Sequence, residues 1–149
     1  MTRLRVPERA MTKTWPYSYG FAAAQTIAGE DGYRRSRSYG VAVLDVPSRW
    51  LSISVQADSH AGRPVDVRVW ANGQTVLKAQ LTGAGPLTAV VQLPEGQPRL
   101  LLEAASRPLG SSRPFFVRSV EPQYFLKWEF LDRPPANFNG AGYPKPLSS

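Results

Sequence analysis

Histidine occurs once in this 149-residue chain, at His60 in the segment Ala57-Asp58-Ser59-His60-Ala61-Gly62. Asp58 stands near enough in sequence to orient an imidazole. A zinc site needs further ligands, however, and a catalytic triad needs a positioned nucleophile, base and orienting acid. His60 therefore reads as a loop residue between strands. The chain has eleven carboxylates, and glycoside hydrolysis needs two of them facing one bond. Asp66, Glu103 and Glu129 fall at outward strand positions and Glu95 in a turn, which disperses them. Glu30 and Asp31, between Gly29 and Gly32, have the oxygen ligands of a Ca²⁺ loop, although adjacent acids between glycines also suit a plain turn. Cysteine is absent, which removes thiolate metal sites, thiol nucleophiles and disulfides together. No phosphate-cradling glycine loop, HExxH pattern or nucleophile elbow occurs. No catalytic residue, metal or cofactor is expected, and the chain reads as non-enzymatic.

Aromatic residues are the stronger signal. Trp50 and Trp70 both share parity with polar strand neighbours, Trp50 with Ser52 and Ser54, Trp70 with Asp66 and Arg68. A large ring on a polar face marks either a covered second layer or a contact site, and such a ring can stack on a sugar. Tyr124, Leu126, Trp128 and Phe130 share one face of a further run, where Trp128 is expected to join the core. Trp15, Tyr17, Tyr19 and Phe21 crowd the N-terminal segment, and Phe138 and Tyr143 lie in a C-terminal stretch rich in Pro, Gly and Asn.

The elements that hold these residues are strands. Val65–Ala71 alternates apolar and polar, Asn72-Gly73 suits the positive φ values of a tight turn, and Gln74–Leu81 resumes the alternation, which defines a β-hairpin. Val41–Val46, Trp50–Ala57, Leu87–Leu93, Arg99–Ala104, Pro114–Val120 and Tyr124–Leu131 follow at intervals of about ten residues, the spacing of an antiparallel sandwich. The only tolerable helix, Gly20–Ala28, is too short to persist without packing. The fold expected is all-β: a single antiparallel, jelly-roll-like β-sandwich over residues 39–131, with an irregular arm over 1–38 and an extended tail over 132–149. Val67, Val69, Leu77, Ala79, Ile53, Val55, Val91 and Leu102 are expected to form one core.

The formal net charge is +7. The excess is concentrated between Met1 and Arg37, where seven basic residues meet three acidic ones, and fourteen of the eighteen basic residues are arginine. Arg34, Arg35 and Arg37 suit carboxylate or anionic lipid contacts, whereas the body between Ser38 and Leu131 is too nearly neutral for a nucleic-acid binder. No apolar run spans a bilayer, and the first residues lack the apolar segment of a signal peptide.

Tyr17-Ser18-Tyr19-Gly20-Phe21, then Tyr33-Arg34-Arg35-Ser36, then Val67-Arg68-Val69-Trp70-Ala71-Asn72-Gly73-Gln74, and finally Leu100-Leu101-Leu102-Glu103 before Ser106-Arg107-Pro108 resemble small extracytoplasmic β-sandwich domains of bacterial envelope proteins. Such domains occur appended to membrane proteins of the glycosyltransferase type and look like jelly-roll carbohydrate-binding modules. The resemblance implies a non-catalytic module. Two functions follow as expectations. The first is an accessory or structural subunit of an envelope membrane complex or phage particle, with Trp15, Tyr17, Tyr19, Phe21, Arg34, Arg35, Arg37, Phe138 and Tyr143 binding neighbouring protein subunits. The alternative is a carbohydrate-binding module that stacks sugar on Trp50 or Trp70. The compartment expected is the periplasm or envelope, or a virion.

Overall fold

The computed structural model describes residues 18–58, 64–83, 85–115 and 123–135, and every regular element among them is a strand. In chain order these are β1 (Tyr19–Ile27), β2 (Glu30–Asp45), β3 (Trp50–Ala57), β4 (Val65–Ala71), β5 (Gln74–Leu81), β6 (Leu87–Gln92), β7 (Arg99–Pro108) and β8 (Tyr124–Leu131). All pairs are antiparallel. Hydrogen bonding runs β5-β4-β7-β2-β8-β3-β6, with β1 also on β2. The long strand β2 is the fold line of the sandwich: its Tyr39–Asp45 half pairs with β7, and Arg34–Ser36 pairs with β8. Because one strand serves both layers, β5 and β6 at the two ends of the path come into contact and close the core.

The hairpin β4–β5 forms as its sequence predicts, with Leu77, Ala79 and Leu81 inward, but a register shift between Val69 and Trp70 also buries Val76 beside Leu77. Asn72 and Gly73 adopt φ of 50° and 84°, as the turn demands. Val65, Val67, Val69 and Ala71 point inward, and all are 0–1% exposed. All eight residues expected in the core are buried in one cluster with Leu51, Leu81, Leu100 and Leu126. Trp128 packs against that cluster.

Residues 19–38 correct the expectation of an irregular arm. The segment expected as a helix, Gly20–Ala28, is instead strand β1 up to Ile27, followed by the Ala28-Gly29 turn, and β2 begins at Glu30. Between Tyr33 and Ala42 the buried positions of β2 are Ser36, Ser38 and Gly40, so no apolar alternation announces this part of the strand. Gly20 and Gly40 explain why β1 docks here. A Cβ on Gly20 would lie 2.1 Å from the Tyr39 carbonyl oxygen, and one on Gly40 would lie 2.6 Å from the Phe21 ring. The Phe21 ring fills the room left by Gly40 and meets Trp128 edge-on at 5.3 Å between centroids. The expected strand Pro114–Val120 is not one where it is described: Pro114 and Phe115 lie in an irregular segment, and 116–120 fall outside the described residues.

Tyr124 is the fully buried polar group opposite this region. Its hydroxyl has no hydrogen-bond partner; the neighbouring Ser36 Oγ donates instead to the Arg34 carbonyl at 3.3 Å. Burial pushes the phenol well above its ordinary value, and Ser36 opposes this only weakly. The native state therefore keeps a proton that the unfolded chain releases near pH 10, so this contribution is intact below that pH and is lost as pH rises past it. Tyr124→Phe is expected to leave urea stability at pH 7 within about 1 kcal/mol of the parent, because no hydrogen bond is lost. At pH 11 the variant should lose less stability than the parent, and paired urea titrations at the two pH values check both statements.

Candidate functional site

The outward face of the β5-β4-β7-β2 layer gathers the polar positions that alternate with the core. Strand register sets their neighbours. Trp70 lies opposite Thr75 on β5 and Glu103 on β7, Arg68 lies opposite Lys78 and Ala105, and Asp66 lies opposite Gln80 and Arg107. On β2, Val41 is opposite Glu103 and also pairs with Tyr19 of β1. Thr75, Trp70, Glu103, Val41 and Tyr19 thus form one row across five strands. Tyr19 is 48% exposed at its end.

Phe115 arrives on this face from the segment after β7. Its ring meets Trp70 edge-to-face at 6.0 Å, and the guanidiniums of Arg68 and Arg107 sit 4.9 and 4.2 Å from its centroid. Arg107 is anchored twice, to Asp66 at 3.4 Å and to the Arg113 carbonyl at 2.7 Å. The Tyr39 hydroxyl donates to Glu103 Oε2 at 3.0 Å. Partial burial first, and then the Glu103 carboxylate it donates to, raise the Tyr39 phenol above its usual range, which keeps it a neutral donor at physiological pH. Trp70 is half-buried, so Phe115 covers it in part. The arrangement offers an aromatic surface flanked by a carboxylate acceptor, a phenol and guanidinium donors.

The other expected site residues are scattered. Trp50 opens β3, opposite Gln92 and Leu131, and its backbone N–H donates to Ser48 Oγ at 3.2 Å. It belongs to the opposite layer, so the fold does not join Trp50 with Trp70 in one site. Phe21, expected to be offered to a partner, is packed within the chain on Gly40 and Trp128. Arg34 is also used internally: its guanidinium lies 5.1 Å from the Trp128 ring and donates to the Ala22 carbonyl at 3.2 Å, and burial lowers its pKa from the ordinary arginine value. Arg35 pairs with the buried Asp58 at 2.8 Å, and Arg37 is exposed. Trp15, Tyr17, His60, Phe138 and Tyr143 lie outside the described residues.

Glu30 and Asp31, the Ca²⁺ candidates, have protein partners in place of a metal. Glu30 pairs with Lys127 at 3.3 Å, and Asp31 accepts the Thr26 hydroxyl across the β1–β2 hairpin. Among the described residues no three histidine or carboxylate side chains gather as a metal would require.

Sequence reasoning missed Phe115, Tyr39, Glu103, Arg68 and Arg107. Parity placed Arg68 beside Trp70, but joining Glu103 to Trp70 requires the β4–β7 register, and Phe115 looked like a strand residue.

No protein-family model and no curated protein matches the chain. Among solved structures it is similar to a carbohydrate-binding module, CBM51 from Clostridium perfringens GH95, in complex with methyl-galactose. The two share 12% identity over 82% of this chain and 97% of that one, with a TM-score of 0.52. A native family 35 carbohydrate-binding module from Clostridium thermocellum shares 18% identity over 76% of this chain and 91% of that one, at a TM-score of 0.44. The likeness to the first is one of fold, an antiparallel β-sandwich.

Proposed function

We propose that this chain is a non-catalytic carbohydrate-binding domain whose binding face is the outer surface of β4, β7 and β2. The observation that carries the reading is Trp70, set on a polar sheet face with Glu103 directly opposite and Tyr39 hydrogen-bonded to that carboxylate. A sugar ring needs an apolar surface for its C–H face and a few fixed polar groups for its hydroxyls. Glu103 accepts hydroxyl protons, while Tyr39, Arg68 and Phe115 fix the surroundings. The fold likeness to a module solved with methyl-galactose supports this choice over a subunit held by its terminal arms.

Calorimetric titration with methyl-galactose and with soluble galactans tests it. Trp70→Ala is expected to weaken binding by about 2 kcal/mol or more, roughly 30-fold, as the loss of a central aromatic anchor does. Its circular dichroism should match the parent, because the side chain leaves the core untouched. Failure of the parent chain to bind any member of a broad glycan array, neutral and acidic, rejects the reading and restores the assembly subunit as the leading function.

A further inference from the structure

Among the described residues, one cation of the site has no counter-charge. Arg68 lies directly opposite Lys78 on β5 and Ala105 on β7, and like charges in facing positions destabilise a sheet. Of the nearby carboxylates, Asp66 is paired with Arg107 at 3.4 Å, and Glu103 accepts the Tyr39 hydroxyl at 3.0 Å rather than an arginine. Among the described residues Arg68 has no ion pair. Its Nε is buried without a hydrogen-bond partner, and the aromatic contact with Phe115 holds the guanidinium in place. Lys78 is exposed and Arg68 half-buried, so ligand approaching along the face meets both. Arg68 and Trp70 stand two residues apart on the same face of β4, about 7 Å by the rise of an extended strand. A substituent on the stacked sugar or on its neighbour reaches across that gap.

We propose that Arg68 and Lys78 bind an oxyanion carried by the same glycan, which makes the ligand an acidic polysaccharide, carboxylated or sulfated. The inference rests on the glycan reading of Trp70. An oxyanion between the two side chains cancels their repulsion and accepts charge-assisted hydrogen bonds from the guanidinium, a geometry that arginine favours.

Titration of the purified chain with polygalacturonate, a sulfated galactan and an uncharged galactan tests the assignment. One or both acidic polymers should bind at least about tenfold tighter than the uncharged one, the worth of one charge-assisted contact. That advantage should shrink as salt is raised, and the stronger acidic polymer names the oxyanion. Lys78→Gln, at an exposed position that keeps the fold, should erase the preference while leaving uncharged galactan binding in place, and Arg68→Gln should erase the preference as well. Equal binding of charged and uncharged polymers by the parent overturns the oxyanion site and leaves the glycan reading standing. A preference that survives both substitutions overturns it as well, as does single-stranded DNA that competes as effectively as the acidic polymers. Binding of none of the three polymers overturns the oxyanion site, and the broad glycan array then decides the glycan reading separately.

Discussion

Val69→Asp is expected to unfold the domain. Val69 is fully buried between Leu77 of β5 and Ala104 of β7, and its side chain enters a cluster built from Leu51, Ile53, Val55, Leu102 and other apolar groups. The cations of β4 and β5, Arg68 and Lys78, occupy the opposite face, so a carboxylate at position 69 meets no counter-charge. Leaving a buried charge uncompensated costs about 3 kcal/mol or more, a large share of the roughly 5–15 kcal/mol that holds an ordinary domain together. Thermal and urea denaturation should show either a collapse of the midpoint or no cooperative transition at all. A variant that melts with the parent would mean that β4 runs in the other register, with Trp70 inside.

Gly20→Ala is expected to release β1. Gly20 has φ of 87°, and a Cβ there would sit 2.1 Å from the Tyr39 carbonyl oxygen and 2.7 Å from Gly40 Cα. These are backbone atoms and cannot swing aside as a flexible side chain does. The left-handed conformation and the overpacking together should cost about 3 kcal/mol. Since β1 carries Phe21, its displacement also strips the aromatic contact from Trp128. Gly29→Ala is the comparison, because φ is 82° there and nothing lies within 4 Å of the added carbon. That variant meets only the backbone penalty, about 1 kcal/mol. Hydrogen exchange of the β1 amides, beside the melting midpoints, should separate the two: Gly20→Ala opens the strand, whereas Gly29→Ala leaves it protected. Equal behaviour would show that β1 is not docked closely on β2.

Trp70→Ala, Arg68→Gln and Val69→Asp draw on opposite faces of one strand, β4. Outward residues of β4 can be changed to read ligand affinity, because their side chains leave the core intact. Inward residues of the same strand report on folding. The distinction depends on the β4 alternation, which the sequence displays without help.

Alternation was legible wherever one face of a strand is apolar. Val65–Leu81 could be read as a hairpin because its inward residues are Val, Ala and Leu and its turn is Asn-Gly; Trp50–Ala57 was equally plain, and both have the expected bounds. The eight core residues followed from the same period. β1 and the first half of β2 were not legible. After Tyr33 their buried positions hold Ser36, Ser38 and Gly40, and the bare Gly40 admits Phe21, so burial there left no run of hydrophobic marks. Arg34 and Arg35 looked free because nothing local shows Trp128, Asp58 or Phe125 waiting across the sheet.

By itself the amino-acid order determined that this is an antiparallel β-sandwich with Val67 and Val69 inside and Trp70 outside, because side-chain period along a strand is a local property. Only the tertiary structure decided what stands beside Trp70. Glu103 is separated from it by more than thirty residues of chain, Tyr39 comes from the fold-line strand, and Phe115 comes from a segment without regular structure. Those neighbours are set by inter-strand register and by loop placement, which depend on how the whole core packs.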